Sequence, residues 1–193
     1  CTATIIYKMY VDAGVKIEPK IALLMCSAII SDTLIFRSPT CTEMDREAGK
    51  ALAEIAGINI KEHAHEMFFA GSNISEKTAK ELFTGDFKRF SIGDTTFGIG
   101  QVSCMDGEEL DQVKKKVMTY MKEQYKSLGV NMLYFMLTDI IKPGTELLCV
   151  GDGAMELVER AFGVQGSDDV VYLPGVVSRK KQVVPEIMME ITQ

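Results

Sequence analysis

Apolar residues fall at helical spacing from the start of the chain: Ala3, Ile6, Met9, Tyr10 and Ala13 form one stripe, with Gly14 as a stop. Pro19 suits a first helical position ahead of Ile21 to Ile30, a nearly all-apolar helix expected in the middle of a core and ending at Ser31-Asp32. Ser38-Pro39 interrupts helix and predicts a loop. Thr42 followed by Asp45 is a helix-start signal for a segment reaching Ile55 and Gly57, and Asn59 can cap a fourth helix to about Phe69. Ala70-Gly71-Ser72-Asn73 is small and polar, and a domain boundary is expected there, dividing residues 1–71 from residues 73–193.

Beyond this boundary the elements shorten. Ser75 is expected to cap a helix to Phe83, and Phe87 to Ile92 and Thr96 to Val102 flank Gly93-Asp94 as a hairpin. A long helix follows from about Asp106 to Leu128. Met132 to Leu137 and Glu146 to Val150 read as buried strands around Lys142-Pro143-Gly144, then Ala154 to Phe162 as a helix and Val170 to Leu173 as a strand. The expected fold is α/β: a helical first part and a small α/β domain with a mixed sheet.

Composition narrows the function. Of 193 residues, 47% are hydrophobic and 25% charged, the balance of an ordinary globular protein. The apolar run Ile21 to Ile30 is too short to cross a bilayer, so no membrane partner is expected. A net charge of −6 argues against a nucleic-acid-binding surface, so an anionic ligand must meet a local basic cluster. Cys1, Cys26, Cys41, Cys104 and Cys149 are scattered without metal-site spacing, which suits reduced thiols of a cytoplasmic protein.

Two places could carry chemistry. Asp32 closes a very apolar helix, where a carboxylate is costly to bury unless it is paired or holds a metal; a turn or cap role is the plainer reading. Ser178-Arg179-Lys180-Lys181-Gln182 sets three consecutive cations between Val176-Val177 and Val183-Val184, as expected of an anion site or, equally, of a strand edge defended by lysines. Lys88 and Arg89 lie between Phe87 and Phe90 at a strand start, one expected inward and the other outward. His63 and His65 cannot face one ion from a helix and are expected at the surface. Gly151-Asp152-Gly153 and Gly98-Ile99-Gly100 lack the remainder of phosphate-loop and dinucleotide fingerprints and read as turns or close backbone approaches.

Thr2 to Tyr10, Ser31-Asp32-Thr33-Leu34-Ile35-Phe36-Arg37-Ser38-Pro39-Thr40-Cys41-Thr42 and Ser178 to Pro185 together resemble the middle and end of family II, manganese-dependent inorganic pyrophosphatases of the DHH phosphoesterase superfamily. The resemblance implies that residues 1–71 are the C-terminal part of a DHH domain and residues 73–193 a DHHA2 domain. It further implies hydrolysis of inorganic diphosphate at a centre of Mn2+ or Co2+, with Mg2+ accompanying the substrate. By the same resemblance Asp32 matches a metal ligand, while Lys88, Arg179 and Lys180 match diphosphate-binding residues. The family's amino-terminal histidine, Asp-x-Asp pair, further aspartate and Asp-His-His motif have no counterpart here, so this chain alone is expected to be inactive, with no catalytic residue assigned.

Other readings stay open. An exopolyphosphatase of the same superfamily would use similar ligands on longer phosphate chains. A non-catalytic anion-binding module would use the basic cluster alone, and a fragment that merely folds could pair as a homodimer through its amino-terminal apolar helices.

Overall fold

The computed structural model describes residues 1–71, 74, 76–104 and 107–192, which divide into two compact units, Cys1–Gly71 and Ser72–Gln193. The expected linker residues Ser72 and Asn73, the expected cap Ser75 and the expected helix start Asp106 lie outside the described residues.

The first unit is four helices: α1 (Thr2–Asp12), α2 (Pro19–Asp32), α3 (Glu43–Ala56) and α4 (Ile60–Gly71). Pro19 opens α2, where its missing N–H costs nothing. Thr42 and Asp45 form a reciprocal capping box at the start of α3, and Gly57 ends that helix in the left-handed conformation. The Asn59 side chain accepts from the Lys61 and Glu62 amides at the head of α4.

Two expectations about this unit need correction. Ala3 and Thr4 are the buried residues of α1 and Tyr7 and Tyr10 pack against the core, while Ile6 and Met9 face out, so the buried stripe is rotated from the one the spacing suggested. The cause is Asp45: it draws the Thr4 hydroxyl inward as a hydrogen-bond donor. Likewise α2 buries Ala22, Met25, Cys26, Ile29 and Ile30 but exposes Leu24, so it packs by one face rather than on all sides.

Asp45 is 1% exposed and accepts from the Thr42 amide, the Thr42 and Thr4 hydroxyls and the Cys1 amino group. Burial pushes its pKa up, but these donors outweigh burial and hold the carboxyl well below the usual carboxylate range. A depressed folded-state pKa gives stability that is present above the unfolded value and drains away as pH falls through the folded one. Protection factors of the α1 and α3 amides, which correct for the intrinsic slowing of exchange in acid, should therefore fall as pH drops below about 4. Asp45→Asn should lose about 2–4 kcal/mol of protection at neutral pH and show a flatter acid profile. Equal acid sensitivity in both proteins would assign the effect to other groups.

Among the described residues the second unit opens with α5 (Ala79–Gly85), capped by Thr78 and Glu81. Next come β1 (Lys88–Ile92), β2 (Thr95–Cys104), α6 (Gly107–Gln124), β3 (Met132–Asp139), β4 (Gly144–Val150), α7 (Ala154–Phe162) and β5 (Val170–Pro174). A π-helical turn (Arg179–Val183) then runs into α8 (Val184–Ile191). The strands lie in the order β1-β2-β3-β4-β5, with β2 and β3 parallel and the other pairs antiparallel, a mixed sheet.

Alternation along the strands feeds two cores. Phe97, Ile99, Tyr134 and Met136 face α7 and α8, whereas Leu133, Phe135 and Leu137 face α5 and α6. Gly98 and Gly100 leave room on the second face: an added Cβ would stand 2.5 Å from the Phe87 ring and 2.6 Å from the Phe135 ring. The glycine pair is thus a packing device, as the close-approach reading expected. Cys26, Cys104 and Cys149 are buried, and the five cysteines are thiols outside any disulfide.

The basic segment departs from expectation. Val183 and Val184, side chains that suit a strand edge, enter a helix instead, because Ser178 caps the turn and Pro185 favours the first helical turn. The apolar positions Val183, Val184, Ile187, Met188 and Ile191 then fall on one helical face against the sheet.

Candidate functional site

Lys88 opens β1, opposite Ile99 in the β1–β2 ladder. Directly opposed residues of antiparallel strands share a face, so Lys88 stands on the α8 side of the sheet with Ile99, while Arg89, opposite Gly98, stands on the other. Both side chains are solvent-exposed, so the inward-outward distinction expected for this pair is a difference of face rather than of burial.

Arg179 reaches the same place from the other end of the unit. Its Nη1 donates to the Asp86 carbonyl at 2.6 Å and the Ile99 carbonyl at 3.4 Å, and its Nη2 donates to Asp86 Oδ1 at 2.8 Å. Only 8% of Arg179 is exposed, so this fork ties the π-helical turn to the start of β1. The turn is held from behind by Gln182, whose Oε1 accepts from the Val177 and Ser178 amides at 3.0 Å and whose Nε2 donates to the Gly175 carbonyl at 3.1 Å. Ser178 accepts from the Lys181 amide at 3.3 Å. π-Helical turns are rare and recur at functional sites, and a helix start directs free N–H groups and positive potential outward.

The arrangement brings Lys88 and Arg179 together around Ile99, with Lys180 adjacent in sequence to Arg179 and exposed. Among the described residues Lys88, Arg89, Lys180 and Lys181 take part in no ion pair, whereas Arg179 is paired with Asp86. Unpaired cations beside a helix start, in a chain of net charge −6, can hold a polyanion by charge-assisted hydrogen bonds. Asp86 and Gln182 were missed as contributors. Gln182 lay inside the basic motif, but Asp86 carried no local signal of its tie to a residue 93 positions away.

Asp32 lies in the first unit as the last residue of α2. Its side chain is 61% exposed and its Oδ2 is 3.9 Å from the Cys1 nitrogen, so the cost of burying a carboxylate does not arise. After Thr33, the residues Leu34, Ile35 and Phe36 take φ of 49°, 55° and 63°, a left-handed turn that L-residues with a Cβ rarely sustain. Thr33 stabilises it: its hydroxyl donates to the Ile29 carbonyl at 2.6 Å and accepts from the Phe36 amide at 3.1 Å. The Phe36 ring lies over Gly49, 2.7 Å from where a Cβ would be. The turn therefore rests on a glycine of α3.

His63 is half-buried, its Nε2 2.7 Å from Ser27 Oγ, rather than free at the surface; His65 is exposed. Among the described residues no three His, Cys, Asp or Glu side chains lie close enough to hold a metal ion. A single exposed carboxylate does not retain a divalent ion, so these residues by themselves do not fit a complete metal centre.

The DHHA2 domain model matches residues 65–189. The chain belongs to the DHHA2 domain family. The DHHA2 match takes in Lys88, Arg179 and Lys180 and stops short of Asp32. Over 191 residues the chain is 46% identical to a Clostridium acetobutylicum protein named as a manganese-dependent inorganic pyrophosphatase, spanning 99% of this chain and 61% of that relative. It is 44% identical over 191 residues to a cobalt-dependent inorganic pyrophosphatase of Clostridium perfringens, spanning 99% of this chain and 35% of the relative. A crystal structure from Methanococcus jannaschii, described as a family II inorganic pyrophosphatase, superposes with a TM-score of 0.83 at 39% identity, covering all of this chain and 65% of that one. The chain thus spans less than two thirds of the length of these relatives.

Proposed function

We propose that this chain is part of an inorganic diphosphatase and that its second unit, as a DHHA2 domain, binds diphosphate through Lys88, Arg179 and Lys180. The observation that carries the reading is the convergence of Lys88 and Arg179 on Ile99 beside the π-helical turn. Arg offers a planar fork and Lys a mobile point charge, a combination suited to the several oxygens of a diphosphate. The names of the relatives, manganese- and cobalt-dependent, support Mn2+ or Co2+ as the metal, while Mg2+ carried by the substrate rests on the resemblance alone. A bound divalent ion would supply Lewis-acid activation of the phosphoryl group.

In this reading residues 1–71 are the end of a DHH domain, and Asp32 gives one carboxylate to a centre completed by residues outside this chain. The chain's own contribution is to bind and orient the anion and to offset its charge. Its cysteines, present as thiols rather than disulfides, support a cytoplasmic setting, and no helix among the described residues is long and apolar enough to cross a membrane.

The test is phosphate release from diphosphate by the purified chain with manganese, beside Asp32→Ala. We expect none from either, together with calorimetric binding of diphosphate that weakens in Lys88→Ala and Lys180→Ala. Release by the chain that the Asp32 substitution abolishes would overturn the incomplete-centre account. Absence of diphosphate binding would overturn the anion-site account, and a marked preference for polyphosphate would move the substrate to longer chains. Light scattering of the same sample tests a homodimer paired through α1 and α2.

A further inference from the structure

We infer that Asp86 is an internal counter-anion that occupies Arg179 when no substrate is bound, so that diphosphate must compete with a carboxylate of the chain itself. The inference rests on the anion-site reading above and adds to it a residue that limits affinity.

Arg179 has its two terminal nitrogens engaged: Nη1 by the Asp86 and Ile99 carbonyls, and Nη2 by Asp86 Oδ1. The two carbonyls belong to the backbone of the β1–β2 region and hold the guanidinium whatever the side chain at position 86. The carboxylate is therefore not needed to keep Arg179 in place; what it adds is charge. Its side chain is 45% exposed while that of Arg179 is 9% exposed, so the carboxylate stands on the solvent side of the pair, where an arriving anion meets it.

The neighbouring charges sharpen the contrast. Lys88, Arg89, Lys180 and Lys181 have no ion-pair partner among the described residues, whereas Arg179 is neutralised. A phosphoryl group reaching Arg179 takes over the Nη2 hydrogen bond and releases Asp86 to water. Binding is weakened by the carboxylate it displaces and by the repulsion it feels on approach.

The measurement is calorimetric titration of the 193-residue chain with inorganic diphosphate, at two ionic strengths, for wild type, Asp86→Asn, Asp86→Ser and Asp86→Glu. Asparagine keeps a hydrogen-bond acceptor for Nη2 without the charge. We expect Asp86→Asn and Asp86→Ser to bind diphosphate roughly three- to tenfold more tightly than wild type at low salt, the gain shrinking at high salt. Asp86→Glu, which keeps the charge, should show no gain. Weaker or unchanged binding by the neutral variants, with far-UV spectra like wild type, would overturn the inference and make Asp86 a support for Arg179. If Asp86→Asn does not fold, Asp86→Ser decides alone. If no variant and no wild-type chain binds diphosphate, the anion-site reading fails and this inference with it; binding by wild type without tightening in the neutral variants defeats this inference only.

Discussion

Arg179→Ala is expected to weaken diphosphate binding by at least about tenfold and to lower the stability of the second unit by about 2 kcal/mol. Both losses come from one side chain because Arg179 is both a cation and a tie. The binding loss reflects removal of the guanidinium charge and of the Nη2 donor that a phosphoryl group would take over from Asp86. The stability loss reflects the acceptors left behind, the Asp86 carboxylate and the carbonyls of Asp86 and Ile99. Water reaches the half-exposed Asp86 and offsets part of that loss, which keeps the figure below that for a fully buried pair. Arg179→Lys restores charge without the fork and should recover only part of the affinity. Calorimetry with diphosphate and urea unfolding monitored on the sheet check the two halves separately. Retention of full affinity in the alanine variant would assign the site to the lysines alone.

Gly151→Ala is expected to cost the second unit about 2–4 kcal/mol, more than most single substitutions. Gly151 has φ of 123°, outside the range ordinary L-residues adopt. An added Cβ would also stand 2.5 Å from the Asn131 carbonyl oxygen and 3.1 Å from Met132 Cα. These are backbone atoms at the entry to β3, fixed on one side by the Asn131 amide donating to the Thr96 carbonyl at 2.8 Å and on the other by the ladder to β4. The clash therefore cannot be relieved by a side chain turning aside. Gly153→Ala, with φ of 72° and open space around it, pays only for conformation and should cost about 1 kcal/mol. Thermal unfolding of the two variants should rank in that order; equal losses would mean that the Asn131 contact yields easily.

The same comparison shows what the sequence could reveal. Thr42 and Asp45 are three positions apart, and a capping box is a local object, so the start of α3 was legible. The Gly93-Asp94 hairpin, the buried strands β3 and β4 and the bounds of α7 were legible for the same reason, since each is decided by residues adjacent in the chain. The π-helical turn was not, because Val183 and Val184 have the side chains of a strand and the sheet they pack on is contributed by distant residues. The buried stripe of α1 was misread because Thr4, a polar residue, is drawn in by Asp45. At the candidate site the cations were visible as a basic motif and a lysine between aromatics, and the resemblance linked them. The link through Ile99 and the balancing role of Asp86 exist only after the sheet has formed.

The strands of the second unit lie side by side in the order in which they are made. Each strand can therefore add to its predecessor as the chain lengthens, the longer connections being the α6 crossover and the α7 segment between β4 and β5, a topology that favours assembly from the amino-terminal side. The bond between Arg179 and Asp86 breaks that sequence, joining the π-helical turn ahead of α8 to a residue two positions before the first strand. During synthesis the sheet can be complete before the basic turn has been made, and the proposed anion site then forms late, together with α8. A nascent chain that ends before Arg179 would carry the sheet of a DHHA2 domain without the proposed anion site.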